Sequence, residues 1–165
     1  MAKEFLFESQ RLYFQKYAEN DFADFNSIMT DPELRRHTTG VLTPEEVRNL
    51  FEKILNDSHK RYAIFLKLNS EYIGHIGLTF KEESKNPYVA YIIKQDYQKQ
   101  GLATEALKAL ADYASKTLGY KTLMADAFRE NIGSYRVLEK VDFNKIGERK
   151  DHKNNYFVFK KMCAC

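Results

Sequence analysis

The sequence predicts a single α+β domain, spanning residues 1–165, in which a mixed, mostly antiparallel central sheet carries helices on both faces. Its length is enough for one domain with a substantial core. The predicted elements run strand, two helices, a meander of three strands, helix, strand, helix and two strands. The strand–helix–strand unit at residues 88–128 has a connection long enough to make its two strands parallel, with a right-handed crossover.

The first elements follow from side-chain alternation and helix-start signals. In residues 10–18, aromatic and aliphatic side chains alternate with polar ones, a pattern that predicts a strand. Residues 21–31 place apolar side chains on one helical face, which predicts a helix. The helix expected at residues 43–57 has strong start signals, because Thr43 can cap it and Glu46 can complete a capping box.

The remaining elements alternate strands with two more helices. Residues 61–68, 71–80 and 88–94 predict the meander, with a short turn between the first two strands. The longest helix is expected at residues 101–119, which begin and end with glycine. A strand, a short helix capped by Asn131 and an antiparallel strand pair complete the chain; they are expected at residues 121–128, 131–143, 144–150 and 155–161.

Composition and charge exclude several classes of function. Twenty-six basic and 23 acidic side chains leave a formal charge of +3, too small and too scattered for a nucleic-acid partner. The longest apolar run is a few residues and no signal peptide is evident, so we expect no membrane partner and a cytoplasmic protein.

Cys163 and Cys165 are too close for an ordinary disulfide and too few for zinc, so we expect reduced thiols on a frayed tail and no metal. The basic pair at residues 35–36 is expected to be a solvated patch.

The stretch "QKQGLA" at residues 98–103 is a candidate anion site. A helix N-terminus exposes backbone N–H groups and the positive end of the helix dipole, and these can hold an anion. Gly101 has no Cβ and Ala103 has the smallest one, so a ligand can approach the backbone closely. Gln98 and Lys99 can add side-chain donors and charge. Taken alone, the stretch fits a plain strand-to-helix turn equally well.

A second group of polar residues follows the next parallel strand. Adjacent parallel strands that each run into a helix leave a crevice at their carboxyl ends, where open sheets bind ligands. Asn131 offers an amide donor and acceptor there, and Ser134 and Tyr135 lie in the first turn of the following helix. We therefore expect a long ligand, with its anionic end at residues 98–103 and its reactive end near Asn131.

These two motifs, in this order and at this spacing, resemble the GNAT superfamily of acetyl-CoA-dependent N-acetyltransferases. Residues 98–103 satisfy the pyrophosphate signature of that family, which reads Gln or Arg, two residues, Gly, one residue, Gly or Ala. The pattern "NxxSxRVLEKxxF" at residues 131–143 resembles the branch that acetylates the N-terminal alanine or serine of ribosomal proteins. The resemblance covers residues 9–161 and implies a GNAT-like fold whose parallel strand pair is splayed around the cofactor.

The resemblance implies how acetyl-CoA, or CoA, binds as co-substrate without a metal. Backbone amides of residues 100–104 are expected to hold the pyrophosphate. Residues 91–93 are expected to pair with the pantetheine arm, because a splayed strand has unpaired N–H and C=O groups. Asn131 is expected to contact the same arm. The predicted binding residues are Tyr91, Ile92, Ile93, Gln98, Lys99, Gln100, Gly101, Leu102, Ala103, Thr104, Asn131 and Ser134.

The resemblance also implies catalytic roles. The N–H of Ile93 is expected to polarise the thioester carbonyl. Ser134 is the leading candidate for the acid that protonates the leaving thiolate, and Tyr135 is its competitor. The base stays unassigned, because Tyr88 stands where the family often has a glutamate. The glutamates at residues 82–83 could act through water, although a solvated loop is the plainer interpretation.

The predicted function is therefore transfer of an acetyl group from acetyl-CoA to a primary amine by direct attack on the thioester. The acceptor is expected to be a protein N-terminus, and the enzyme a monomer or a homodimer. A small amine such as a polyamine or an antibiotic is the alternative acceptor, and a CoA-binding module without catalysis is the second alternative. The loop at residues 31–43 and the segment at residues 80–87 are expected to select the acceptor. His75 is expected to be a packed strand residue rather than a catalytic one.

Overall fold

The computed structural model describes residues 5–57 and 59–163, and within these ranges it contains one eight-stranded sheet and four α-helices. The strands are β1 (Phe7–Glu8), β2 (Leu12–Lys16), β3 (Lys60–Leu66), β4 (Tyr72–Thr79), β5 (Tyr88–Ile93), β6 (Thr122–Phe128), β7 (Asn144–Lys150) and β8 (Asn155–Met162). The helices are α1 (Phe22–Met29), α2 (Pro44–Leu55), α3 (Leu102–Lys116) and α4 (Ile132–Lys140).

The strands lie in the order β1-β2-β3-β4-β5-β6-β8-β7 across the sheet. Neighbouring strands are antiparallel except for β5 and β6, which are parallel. In the described part of the chain these two strands pair at one position, Tyr88 with Met124. Beyond this position the ladder is not continued, so the two strands are splayed toward their carboxyl ends. The structure confirms the expected mixed sheet with one splayed parallel pair.

The helix-start signals of the sequence are present as hydrogen bonds. Thr43 Oγ1 accepts a hydrogen bond from the N–H of Glu46 (3.2 Å), and the Glu46 carboxylate accepts one from the N–H of Thr43 (2.8 Å). This reciprocal pair is the expected capping box of α2. Asn131 caps α4, because its Oδ1 accepts a hydrogen bond from the N–H of Ser134 (3.2 Å).

Apolar side chains are buried on both faces of the sheet. Helices α3 and α4 pack on one face, and α1 and α2 pack on the other, which confirms the expected helices on both faces. Burying one large aliphatic or aromatic side chain contributes about 1.5–3 kcal/mol, so these faces supply most of the stabilisation. Fully buried large side chains include Phe14, Ile64, Ile76, Leu107, Phe143 and Phe159 on the first face, and Phe25, Ile28 and Phe51 on the second.

The edge strand β1 was not predicted from the sequence. Its two residues pair antiparallel with β2, with Phe7 opposite Phe14. The Phe7 ring also stacks on Phe14 (ring centroids 4.4 Å apart) and on Tyr113 of α3 (4.3 Å). A two-residue strand is too short to show alternation, and its position is set by these ring contacts instead.

Two further expectations about exposed segments were wrong. Arg35, expected in a solvated patch, is only 8% exposed, because its guanidinium donates to the Gly40 carbonyl (3.0 Å) and to Thr39 Oγ1 (3.2 Å) and so closes the loop after α1. Cys163, expected on a frayed tail, is partly buried and its N–H donates to the Lys121 carbonyl (2.9 Å). Cys165 lies outside the described residues.

The described residues also bear on membranes and metals. No helix formed by residues 5–57 and 59–163 is long and apolar enough to cross a membrane. The same residues contain no group of three or more His, Cys, Asp or Glu side chains placed to hold a metal ion.

Candidate active site

A cavity of about 680 Å³ opens where β5 and β6 diverge. Its walls are the end of β5, the loop leading into α3, the first turn of α3, the loop that follows α1, and one side of α4 along its whole length together with the two residues before it. Every binding residue predicted from the sequence lines this cavity except Gln100. The structure thus brings the two sequence motifs together in one place, and the roles of the individual residues stay predictions.

The loop before α3 is held in a conformation that leaves the helix N-terminus open. Gly101 precedes the helix with φ 78°, a left-handed conformation that glycine adopts without a Cβ penalty. Lys99 is also left-handed, with φ 61°. The Gln98 side chain donates to the Ile93 carbonyl (2.8 Å) and so fastens the loop to the end of β5. The first N–H groups of α3 have no partner within the helix and are available to an anion in the cavity.

A hydrogen-bonded brace that the sequence did not reveal supports this loop from behind. The Arg11 guanidinium donates to Glu105 in the first turn of α3 (2.8 Å) and to the Gln100 carbonyl (3.0 Å). The hydroxyl of Ser9 also donates to Glu105. Burial acts to raise the pKa of Glu105, but the hydrogen bonds from Ser9 and Arg11 outweigh it and lower that pKa. Glu105 is therefore held as a carboxylate whose partners fix the start of α3.

The backbone of β5 presents hydrogen-bonding groups to the gap that opens between β5 and β6 beyond the Tyr88–Met124 pair, called here the splayed gap. The N–H of Lys94 donates to Ile73 of β4 (2.8 Å), so the backbone groups of Tyr91 and Ile93, which alternate with it, face the opposite side. Within the described residues the β5–β6 ladder consists of the Tyr88–Met124 pair alone, so β6 provides no ladder partner for these groups. The Ile93 N–H, predicted to polarise a carbonyl, faces this gap.

Ser134 lies in the cavity wall and is hydrogen-bonded to Tyr91 across the gap. Its Oγ is 3.0 Å from the Tyr91 hydroxyl, which also donates to the Ser134 carbonyl (3.1 Å). Burial raises the pKa of Tyr91 to about 12, against a smaller opposing effect of its hydrogen bond with Ser134. The Tyr91 hydroxyl is therefore protonated at neutral pH. The sequence indicated a backbone role for Tyr91 and did not indicate this side-chain contact.

Tyr135, the competing candidate acid, is directed elsewhere. Its hydroxyl donates to the Arg129 carbonyl (2.6 Å), and its ring packs against Phe157 with centroids 5.4 Å apart. It is not among the residues that line the cavity. The structure thus brings Ser134, and not Tyr135, to the cavity.

The loop at residues 31–43, expected to select the acceptor, contributes to the cavity wall, whereas the segment at residues 80–87, Tyr88 and His75 do not line the cavity. The side chains of residues 82–83 are exposed on the loop before β5, and Tyr88 lies at the paired end of that strand. His75 is 4% exposed in the core under α1, with its Nδ1 3.2 Å from the Tyr17 hydroxyl. Burial, with smaller effects of Arg61 and Arg35, lowers the pKa of His75 to about 3. His75 is therefore a neutral, packed residue.

Charged side chains to which the sequence assigned no binding role also line the cavity. Arg136 and Lys140 stand one turn apart on α4, and Lys99 lies in the loop before α3. In the loop after α1, Arg36 pairs with Glu33 (2.9 Å). Both α4 cations belong to the pattern at residues 131–143 through which the chain resembles the acetyltransferase branch, but the pattern alone assigned them no role. Cations beside an open helix N-terminus fit a ligand that carries phosphates, as CoA does.

The chain is similar to known acetyltransferases in sequence and in fold. Residues 11–144 match the protein family described as acetyltransferase (GNAT) domain. The uncharacterized N-acetyltransferase YnaD of Bacillus subtilis (strain 168) is 26% identical over 141 residues, which span 84% of this chain and 82% of YnaD.

Two solved structures match the fold equally well. One is the acetyltransferase that modifies the N-terminal serine of 50S ribosomal subunit protein L7/L12 from Salmonella typhimurium, with TM-score 0.80 and 18% identity. The other is spermidine N-acetyltransferase from Vibrio cholerae in complex with CoA and spermine, with TM-score 0.80 and 14% identity. Each match covers 93% of this chain and 96% of the other. The fold is therefore shared by enzymes with both kinds of acceptor.

Proposed function

The chain belongs to the GNAT acetyltransferase family, and from that premise we propose that it acetylates the N-terminal amine of a protein. It is an N-acetyltransferase that uses acetyl-CoA, since the matched family and the similar proteins share that activity. This removes the alternative of a CoA-binding module without catalysis. The similar structures include enzymes for both protein and polyamine acceptors, so the acceptor is inferred from the cavity itself.

The acceptor is inferred from the charged side chains that line the cavity. The described residues that line it include four cations and two carboxylates; they are Arg36, Lys99, Arg136, Lys140, Glu33 and Glu130. Glu33 is already paired with Arg36, and Glu130 has no ion-pair partner among the described residues. A polyamine carries several ammonium groups and requires a matching set of carboxylates. One unpaired carboxylate suits an acceptor with a single cationic amine, such as a protein N-terminus.

The residues around the α3 N-terminus fit the phosphates of the co-substrate. The first N–H groups of α3, which follow the left-handed Gly101, would hold the pyrophosphate, and the small side chain of Ala103 would leave room for it. Lys99, Arg136 and Lys140 would add charge. Backbone groups of β5 that face the gap would pair with the amides of the pantetheine arm. Asn131, whose Oδ1 is used by the helix cap, would contribute its amide N–H₂.

Ile93 and Ser134 would take part in the transfer of the acetyl group. The acetyl-CoA supplies an acetyl group activated as a thioester. The Ile93 N–H would hydrogen-bond the oxygen on which negative charge develops, a contribution of about 3 kcal/mol for one well-placed donor. Ser134 would give a proton to the departing sulfur, since its hydroxyl is in the cavity wall and that of Tyr135 is not.

A direct test compares acceptors by following thiol release from acetyl-CoA. We expect peptides with a free N-terminal serine or alanine to have a kcat/KM at least about tenfold above that of spermidine, because one ammonium group fits the wall better than three. The control is the same peptide acetylated at its N-terminus and carrying one internal lysine, which should not turn over. Faster turnover of spermidine or of an aminoglycoside than of every peptide would reject the proposed acceptor.

A further inference from the structure

The Tyr91 hydroxyl bridges the splayed gap from β5 to α4. Tyr91 lies in the second half of β5, and its side chain projects onto the face of the sheet covered by α3 and α4, where its ring packs against the buried core. Its hydroxyl lies 3.0 Å from Ser134 Oγ and 3.1 Å from the Ser134 carbonyl oxygen. The two residues are 43 positions apart in sequence and both line the cavity. One side chain from the strand thus contacts both oxygens of the residue assigned as proton donor.

The two hydroxyls have two protons between them and can arrange them in two ways. In the first, Ser134 Oγ donates to Tyr91 and Tyr91 donates to the Ser134 carbonyl, so no proton points into the cavity. In the second, Tyr91 donates to Ser134 Oγ, and the serine proton is free to point into the cavity. The same heavy-atom positions accommodate both, so the serine proton can change direction without movement of either residue.

We propose that Tyr91 is a positioning residue that holds Ser134 Oγ as a proton shuttle between the attacking nitrogen and the departing sulfur. This inference rests on the role given to Ser134 in the proposed function. The C–N bond forms and the C–S bond breaks, and the sulfur takes the Ser134 hydroxyl proton. Ser134 takes a proton back from the nitrogen, so it ends neutral. The ammonium group of the acceptor has lost its other proton to solvent before it attacks.

The acidities of the groups explain why a shuttle is needed. A thiol has a pKa of about 8.5, and an aliphatic alcohol is a much weaker acid. Ser134 therefore cannot give its proton to sulfur and keep the negative charge. The nitrogen becomes strongly acidic once it has bonded to the acetyl carbon, so it can replace the proton. Tyr91, with its pKa raised to about 12, keeps its own proton and contributes a hydrogen bond that holds Oγ in place while two protons move.

A double-mutant cycle on kcat tests the inference, using Tyr91→Phe, Ser134→Ala and the double variant. We expect Ser134→Ala to lower kcat about a hundredfold and Tyr91→Phe about tenfold, with the KM for acetyl-CoA unchanged within about twofold. In the double variant, Tyr91→Phe should add no further loss, because Tyr91 acts through Ser134. The matched control is Tyr62→Phe, which removes a buried tyrosine hydroxyl of the same core away from the cavity and should leave kcat unchanged.

The outcomes separate this inference from the choice of acceptor. The cycle is measured with whichever acceptor turns over, so a failed preference for peptides does not affect it. Equal losses from Tyr91→Phe in the presence and absence of Ser134 would reject the shuttle, as would an unchanged kcat for Tyr91→Phe alone. An unchanged kcat for Ser134→Ala would reject both the shuttle and the serine role. Phenylalanine keeps the packed ring, and thermal melting of each variant shows whether a loss is structural.

Discussion

Arg11 and Glu105 join the start of β2 to the first turn of α3, across 94 residues of sequence. The Arg11 guanidinium also donates to the Gln100 carbonyl. Because the carbonyl of Gln100 and the N–H of Gly101 belong to one planar peptide and point in opposite directions, this bond directs the Gly101 N–H away from Arg11. The pair therefore orients the backbone donors proposed to hold the pyrophosphate, although neither side chain lines the cavity.

Replacing Arg11 by methionine tests whether the brace prepares the co-substrate site. Methionine keeps an unbranched, flexible side chain, shorter than that of arginine, and removes the guanidinium donors. We expect the KM for acetyl-CoA to rise about fivefold to tenfold, equivalent to about 1–1.4 kcal/mol, with kcat at saturation little changed. The control is Lys16→Met, which removes an exposed cation from the far end of β2 and should leave that KM unchanged. If both variants behave alike, the brace has no effect on binding.

Gly101 and Gly119 offer a matched pair of left-handed glycines. Gly101 precedes α3 with φ 78° in the cavity wall, and Gly119 follows α3 with φ 81° and open space around it. Alanine at either position should cost about 1 kcal/mol of unfolding free energy, because its Cβ disfavours this backbone region. We expect only Gly101→Ala to raise the KM for acetyl-CoA, by about tenfold. Similar KM changes in the two variants would place the pyrophosphate elsewhere.

The cations of α4 should contribute to co-substrate binding in a salt-dependent way. Arg136→Met and Lys140→Met are each expected to raise the KM for acetyl-CoA about threefold to tenfold in dilute buffer, because each removes a charge close to where the phosphates would lie. The increase should shrink at about 0.5 M salt, where exposed charges are screened. Lys108→Met, on the exposed side of α3, is the control. An increase that is independent of salt would indicate a packing effect instead.

The helices, the strands after β1 and the location of the cavity were predictable because most of their signals are local. The capping box at Thr43, the cap at Asn131 and the glycine before α3 each lie within a few residues of the element they start. The splayed strand pair followed from the length of one connection and from the resemblance. Such features need no knowledge of distant contacts.

The brace, the buried arginine and the tyrosine contact were not predictable for the opposite reason. Arg11 meets Glu105, and Tyr91 meets Ser134, only after the sheet has formed, and no local pattern distinguishes these side chains from exposed ones. Arg35 was predicted to be solvated because it lies in a polar loop, but it is buried and its guanidinium donates a hydrogen bond to the Gly40 carbonyl. Long-range pairs of polar groups are chosen by tertiary geometry, and a single sequence does not encode their partners visibly.

His75 should make the stability of the protein depend on pH in the acidic range. Burial holds its pKa at about 3 in the folded state, below the ordinary value of 6.5, so the unfolded chain binds a proton first as the pH falls. The stability due to neutral His75 is present in full above pH 6.5 and is lost as the pH falls toward 3, at roughly 1.4 kcal/mol per pH unit. His75→Asn keeps a hydrogen-bonding group near Tyr17 and cannot titrate. The free energy of unfolding, measured by urea denaturation at several pH values between 4 and 6.5, should therefore fall less steeply with decreasing pH for this variant than for the wild-type protein. The carboxylates contribute equally to both proteins. Parallel curves would mean that His75 is protonated in the folded core.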